Sequence, residues 1–144
     1  MDTTKIRKGN ATWLGDLKSG TGTFRIASLG WEGKYTAGSR FEDSAGTNPE
    51  ELLGTAHAGC FSMALSANLV KEGFRPESIS TVADVILVKK EIGFTITRID
   101  LHTEVKCPDI GNEKLQEIAE LTKKNCPVSR ALASVEMGLE ARLI

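Results

Sequence analysis

An α+β fold is predicted by three observations. Short alternating segments rich in β-branched and aromatic residues cluster both before and after one long helical stretch. A second helical period follows the later cluster. Strand and helix never alternate regularly, as they would in a parallel doubly wound protein. A chain of 144 residues suits one domain able to bury its own core. No Pro/Ser-rich linker or internal repeat interrupts it, so a single domain over 1–144 is expected.

Taken in order, residues 11–14, 21–27 and 34–41 read as strands. They are separated by Gly15, Gly20, Gly22, Gly30 and Gly33, with half-buried alternation in Thr23-Phe24-Arg25-Ile26. The long helix starts at Asn48, a capping residue, with Pro49 at the first helical position and Glu51 three beyond the cap. It runs to Glu72 and stops at Gly73. Leu53, His57, Cys60, Ala64 and Ala67 fall near one stripe at helical spacing. Residues 80–89 and 94–105 form a hairpin around Glu91-Ile92-Gly93, although their period-two pattern is imperfect. Leu115, Ile118, Ala119 and Thr122 mark the inner face of a helix over 112–124. A final strand covers 135–143.

Composition narrows the function. There are 18 basic and 19 acidic side chains, a formal net charge of −1, which offers no broad positive footprint for nucleic acid or an anionic membrane. The 19 uncharged residues from 52 to 70 approach a bilayer span, but His57, Asn68, serines, glycines and alanines make this a helix buried in protein. The first ten residues carry charges and no apolar run, so no signal peptide is read and the cytoplasm is the expected compartment. Three widely spaced cysteines, Cys60, Cys107 and Cys126, make no disulfide scaffold and no Cys-x-x-Cys pair.

Each polar candidate has a plain reading beside a chemical one. Cys60 is either a small buried core residue or a thiol with room around it, since Ala56, Gly59 and Ala64 leave space for close approach. Cys126 precedes Pro127 at the start of a short helix, where the dipole lowers a thiol pKa; alternatively it is packed after a terminated helix. His57 shares a helix face with Cys60 and is either hydrogen-bonded packing or an auxiliary base. Glu50 suits a helix first turn by the dipole alone. Arg40 is a strand residue, solvated or functional. Cys107 is a bystander at a strand end. No metal-ligand spacing is present.

The segments Arg40-Phe41-Glu42, Gly46-Thr47-Asn48-Pro49-Glu50-Glu51-Leu52-Leu53-Gly54 and Ala56-His57-Ala58-Gly59-Cys60-Phe61-Ser62-Met63-Ala64-Leu65, with the distant Asn125-Cys126-Pro127-Val128-Ser129, closely resemble the OsmC branch of the OsmC/Ohr hydroperoxide reductases. The resemblance extends from Gly9-Asn10-Ala11-Thr12-Trp13 to the last strand. It implies antiparallel sheets packed around a long central helix and a second helix, in an intertwined homodimer. It also implies a thiol peroxidase acting on organic hydroperoxides, with Cys60 peroxidatic, Cys126 resolving, and Arg40 oriented by Glu50. In the Ohr branch the arginine comes from an earlier loop, where this chain has Lys18 and Arg25. That places Arg25 second to Arg40.

The chemistry suits those roles. A guanidinium favours the thiolate that attacks a peroxide and stabilises the leaving alkoxide. A second thiol condenses with the sulfenic acid before over-oxidation. An apolar pocket drawn from Leu53, Phe61, Met63 and Trp31 or Phe41 is expected to hold an alkyl tail. The resemblance implies no resident cofactor and a dithiol reductant, of lipoyl type. A thiol-based sensor or binding module without fast turnover is the alternative. Glu50 and Cys60 lie ten residues apart, ~15 Å on one continuous helix. Either the helix breaks near Gly54, or the arginine–glutamate pair serves the partner subunit.

Overall fold

The computed structural model describes residues 2–144. The chain divides at Leu52/Leu53 into two compact units.

In the first unit, β1 (Asn10–Leu14), β2 (Thr21–Ile26) and β3 (Trp31–Tyr35) form an antiparallel sheet in that order. Trp13 pairs with Gly22, which pairs with Tyr35. A side chain at position 22 would collide with both rings, so glycine there is a packing requirement. Phe24 stacks on Tyr35 with centroids 3.9 Å apart, an arrangement that aromatic neighbours favour.

The strand expected over 34–41 is corrected. β3 ends at Tyr35, and Ala37–Phe41 is a short helix, α1. Local hydrogen bonding outweighs strand propensity here. The Thr36 hydroxyl accepts from the Ser39 N–H at 3.1 Å, and the Ser39 hydroxyl accepts from the Thr36 N–H at 2.8 Å. That reciprocal box satisfies two otherwise orphaned donors and starts a helix turn. Ser39 also donates to the Thr47 carbonyl at 2.8 Å, and the Asn48 amide donates to the Ser39 carbonyl at 3.1 Å. α1 is thereby tied to the start of the long helix.

That helix, α2 (Pro49–Lys71), begins as the sequence predicts, with the Asn48 side chain accepting from the Glu51 N–H at 2.7 Å. Gly73, at φ 93°, ends it. α2 is unbroken through Gly54, which removes the first of the two alternatives raised by the Glu50–Cys60 spacing.

The second unit contains most of α2, followed by β4 (Ser78–Lys90), β5 (Gly93–Lys106), α3 (Asn112–Asn125), α4 (Pro127–Ala131) and β6 (Glu136–Leu143). β4 and β5 form the expected antiparallel hairpin, whereas β6 runs parallel to β5, so this sheet is mixed. A bulge between Ile86 and Leu87 shifts the register. One extra residue reverses which side of a strand faces inward, which explains the imperfect period two: Ile96 and Ile99 pack in the same core although they are three apart.

Phe61, Leu65 and Leu69 of α2, Ile99, Leu101 and Val105 of β5, and Leu115, Ile118 and Ala119 of α3 fill the core. The inner face of α3 is the predicted one. The inner stripe of α2 is His57, Phe61, Leu65 and Leu69, and Ala67 is exposed. The large residues therefore set the buried face, displacing the small-residue stripe read from Leu53, Cys60, Ala64 and Ala67. Polar ties fix this packing: Ser62 to Thr81 at 2.8 Å, and Asn68 to Thr122 at 2.9 Å.

Candidate active site

Two clusters contain the chemistry-bearing residues. In the first unit, α1 carries Arg40 and the first turn of α2 carries Glu50. The Arg40 Nε donates to both Glu50 carboxylate oxygens at 3.1 and 3.2 Å, and its Nη2 donates to Oε1 at 2.7 Å. Glu50 is 7% exposed, so a paired guanidinium offsets the cost of holding a carboxylate out of water. Phe41 packs its ring 5.2 Å from the guanidinium carbon. Beside the pair lies a cavity of about 240 Å³ lined by Trp13, Leu17, Tyr35, Thr36, Ala37, Arg40 and Phe41. Arg25 lies on β2, where it lines a different cavity together with Glu32.

In the second unit, α2 carries Cys60 and the start of α4 carries Cys126. The two are 66 positions apart in sequence, yet their Sγ atoms are 3.2 Å apart, and both thiols are free. That separation exceeds the ~2.05 Å of a disulfide but lies within reach of bond formation after a small movement. Pro127 stands at the first position of α4 with Cys126 at its cap, as predicted.

The two sulfurs are electrostatically unequal. Burial pushes the Cys60 thiol up, partly offset by the Val128 N–H, and the neighbouring Cys126 pushes it further. Burial acts on Cys126 as well, but the Ser129 N–H, the Cys60 thiol, the Ser129 hydroxyl and the Val128 N–H together bring it below the ordinary value. Within this pair Cys126 is the more acidic thiol and Cys60 the less acidic.

His57 does not bond Cys60. It is fully buried, and its Nε2 lies 2.7 Å from the Ser129 Oγ. Its Nδ1 is buried without a partner, and burial lowers its pKa. Cys107 is buried elsewhere in the core, and burial raises its thiol pKa. Phe61 is fully buried in the core, Met63 is 77% exposed, and Leu53 is half-buried. Among the described residues no group of three or more His, Cys, Asp or Glu side chains is placed to hold a metal ion, and no helix is long and apolar enough to cross a membrane.

Sequence reasoning missed Ser129 and the cavity residues Trp13, Leu17 and Tyr35. A signal existed for Ser129, which stands three residues past a helix cap, where a side chain reaches back toward the cap. Its pairing with His57 across 72 positions leaves no trace in a single sequence.

The model of the OsmC-like protein family matches residues 41–140. Peroxiredoxin OsmC of Escherichia coli is 47% identical over 138 residues, covering 95% of this chain and 96% of that protein. The chain belongs to the OsmC-like family. The organic hydroperoxide resistance protein OhrB of Bacillus subtilis is 32% identical over 104 residues, or 70% of this chain and 74% of OhrB. The fold matches the crystal structure of the OsmC like protein from Mycoplasma pneumoniae with a TM-score of 0.76 at 15% identity, covering 99% of each chain. Within this OsmC-like chain, the paired thiols and the Arg40–Glu50 fork are the features whose roles call for an argument.

Proposed function

We propose that this OsmC-like protein is a thiol-dependent peroxidase that reduces organic hydroperoxides to alcohols. The observation that carries the reading is the 3.2 Å approach of two free thiols, Cys60 and Cys126. The relatives, a peroxiredoxin and an organic hydroperoxide resistance protein, agree with it.

The reacting form of the pair holds one proton. A guanidinium brought near Cys60 draws the negative charge onto that sulfur, and the proton then resides on Cys126. The Cys60 thiolate attacks the terminal peroxide oxygen, an S–O bond forms, the O–O bond breaks, and the alkoxide takes the Cys126 proton. Cys60 is left as a sulfenic acid and Cys126 as a thiolate. Cys126 attacks the Cys60 sulfur, the S–S bond forms, and hydroxide leaves and takes a proton from solvent. An external dithiol, of the lipoyl class, returns the disulfide to two thiols by exchange. The cytoplasm, where thiols are kept reduced, suits that cycle.

Arg40 is the guanidinium we assign, with Glu50 fixing its plane before substrate arrives. The cavity beside Arg40, with Trp13, Tyr35 and Phe41 in its wall, offers aromatic faces to a bulky alkyl or aryl group. Leu53 and Met63 are secondary candidates for contact with substrate, whereas Phe61 is sealed in the core. The whole chain, 1–144, acts as one domain in a homodimer; the family match spans the Leu52/Leu53 division.

The test is intact mass with a non-reducing peptide map, after one equivalent of cumene hydroperoxide is added to the reduced protein. Loss of two hydrogens with Cys60 linked to Cys126 is expected. An unchanged mass overturns the peroxidase reading. Linkage without turnover in excess dithiol makes the protein a sensor instead.

A further inference from the structure

The peroxidase cycle uses Cys60, Cys126, Arg40 and Glu50, and leaves a fully buried histidine unexplained. We propose that His57 is a positioning residue for the second half of that cycle: its Nε2–H holds the Ser129 hydroxyl so that the hydroxyl proton points at the Cys126 sulfur. The inference rests on the peroxidase reading and adds a role for a residue that the cycle does not use.

Three observations lead there. The His57 Nε2 is 2.7 Å from the Ser129 Oγ. Ser129 stands in the first turn of α4, three residues past Cys126 at its cap, and its hydroxyl helps lower the Cys126 pKa. The remaining ring nitrogen, Nδ1, is buried and unpartnered. That last atom decides the tautomer. A proton on Nδ1 would strand an N–H donor in a dry interior, and an imidazolium would strand a charged one, at still greater cost. The neutral Nε2–H form leaves only an unused lone pair. His57 is therefore a donor to Ser129, and Ser129, its lone pair occupied, turns its own proton to sulfur. Neither ring nitrogen bonds Cys60, so the role of base toward that thiol is set aside.

The consequence differs between the two half-reactions. Attack on the peroxide needs the anion on Cys60, and a donor aimed at Cys126 does nothing to help it. Attack on the sulfenic acid needs the anion on Cys126, and here the oriented hydroxyl holds a thiolate ready as the alkoxide takes its proton. In that step Cys126 supplies the electron pair of the S–S bond, and the Cys60 S–O bond breaks with its pair leaving as hydroxide.

The experiment follows both steps after mixing with cumene hydroperoxide, by acid quench and mass spectrometry, with dimedone capturing the sulfenic acid. Ser129→Ala and His57→Leu are expected to slow disulfide formation about tenfold, the worth of one hydrogen bond to a charged group. Sulfenic acid formation is expected to be unchanged or faster, and sulfinic acid should accumulate at Cys60. His57→Gln, which keeps a donor within reach of Ser129, should stay closer to wild type than His57→Leu. The double variant should be no slower than Ser129→Ala alone. Wild-type resolution in either Ser129→Ala or His57→Leu overturns the inference, as does a parallel loss of both steps in Ser129→Ala and His57→Gln. If wild type itself forms neither sulfenic acid nor disulfide, the peroxidase reading fails and the inference falls with it.

Discussion

A histidine sealed in the interior ties stability to pH in a direction that can be worked out. The ordinary value is 6.5 and burial lowers it in the folded chain. Below that ordinary value the unfolded chain binds a proton that the folded chain still refuses. Stability is therefore complete above it and drains away as pH falls toward the folded value. Glutamine at position 57 has no such proton to refuse. Urea unfolding from about pH 7 to about pH 5 is expected to show a steeper loss in wild type than in His57→Gln. Equal slopes would mean that His57 is protonated inside the fold, which would also remove the tautomer argument. The two cysteines teach a related lesson. Cys60 carries the proposed attack, yet the local groups favour an anion on Cys126. A pair so biased needs a third, cationic group before it becomes a peroxidase, and Arg40 is the one already oriented.

Among the elements, β2 shows how a missing side chain builds a site. Trp13, Gly22 and Tyr35 form one cross-strand row, and the rings of Trp13 and Tyr35 use the space a Cβ at Gly22 would take. Both rings line the cavity beside Arg40. Gly22→Ala is expected to cost about 1–3 kcal/mol by overpacking, read as a lower urea midpoint. It should also raise KM for cumene hydroperoxide about threefold or more with kcat little changed, the pattern of lost uniform binding. An unchanged KM would place the alkyl group elsewhere. Much of this framework was legible beforehand. Asn48-Pro49 and Gly73 bound α2 because capping is local chemistry, and α3 showed its inner face by simple period. The residues at 34–41 misled because a Thr-Ser capping box at Thr36 and Ser39 decides the backbone there, and β-branched composition does not reveal it. The stripe on α2 was misread because cysteine spacing drew attention to small residues while Phe61, Leu65 and Leu69 did the burying. Bulge and parallel β6 pairing depend on distant partners and had no local signal. Of the site, the cysteines and the Arg40–Glu50 pair were readable from motif, and the Ser129 link was not.

For the whole molecule, the proposed homodimer carries the remaining prediction. Met63 and Val70 on α2, and Val82, Ile86 and Val88 along one side of β4, remain exposed, apolar side chains that a partner would cover. The proposed dimer also bears on the spacing of the groups assigned to the reaction. Glu50 and Cys60 are separated by ~15 Å of rise on a helix now seen to be continuous, so we assign each Arg40–Glu50 pair to the thiols of the partner subunit. Mixed dimers of a Cys60→Ser chain with a Glu50→Ala chain decide the matter. With sites shared across chains, the Glu50→Ala chain supplies both thiols, the Cys60→Ser chain supplies the intact arginine fork, and one complete site remains. Tagged heterodimers purified by tandem affinity are then expected to turn over cumene hydroperoxide at about half the wild-type rate per dimer, while each parent homodimer is much slower. With sites confined to single chains, every site in the mixture lacks a component. Activity no higher than the two parents would sink the shared site, and the pair would have to reach Cys60 of its own chain through a rearrangement of α1 and the first turn of α2.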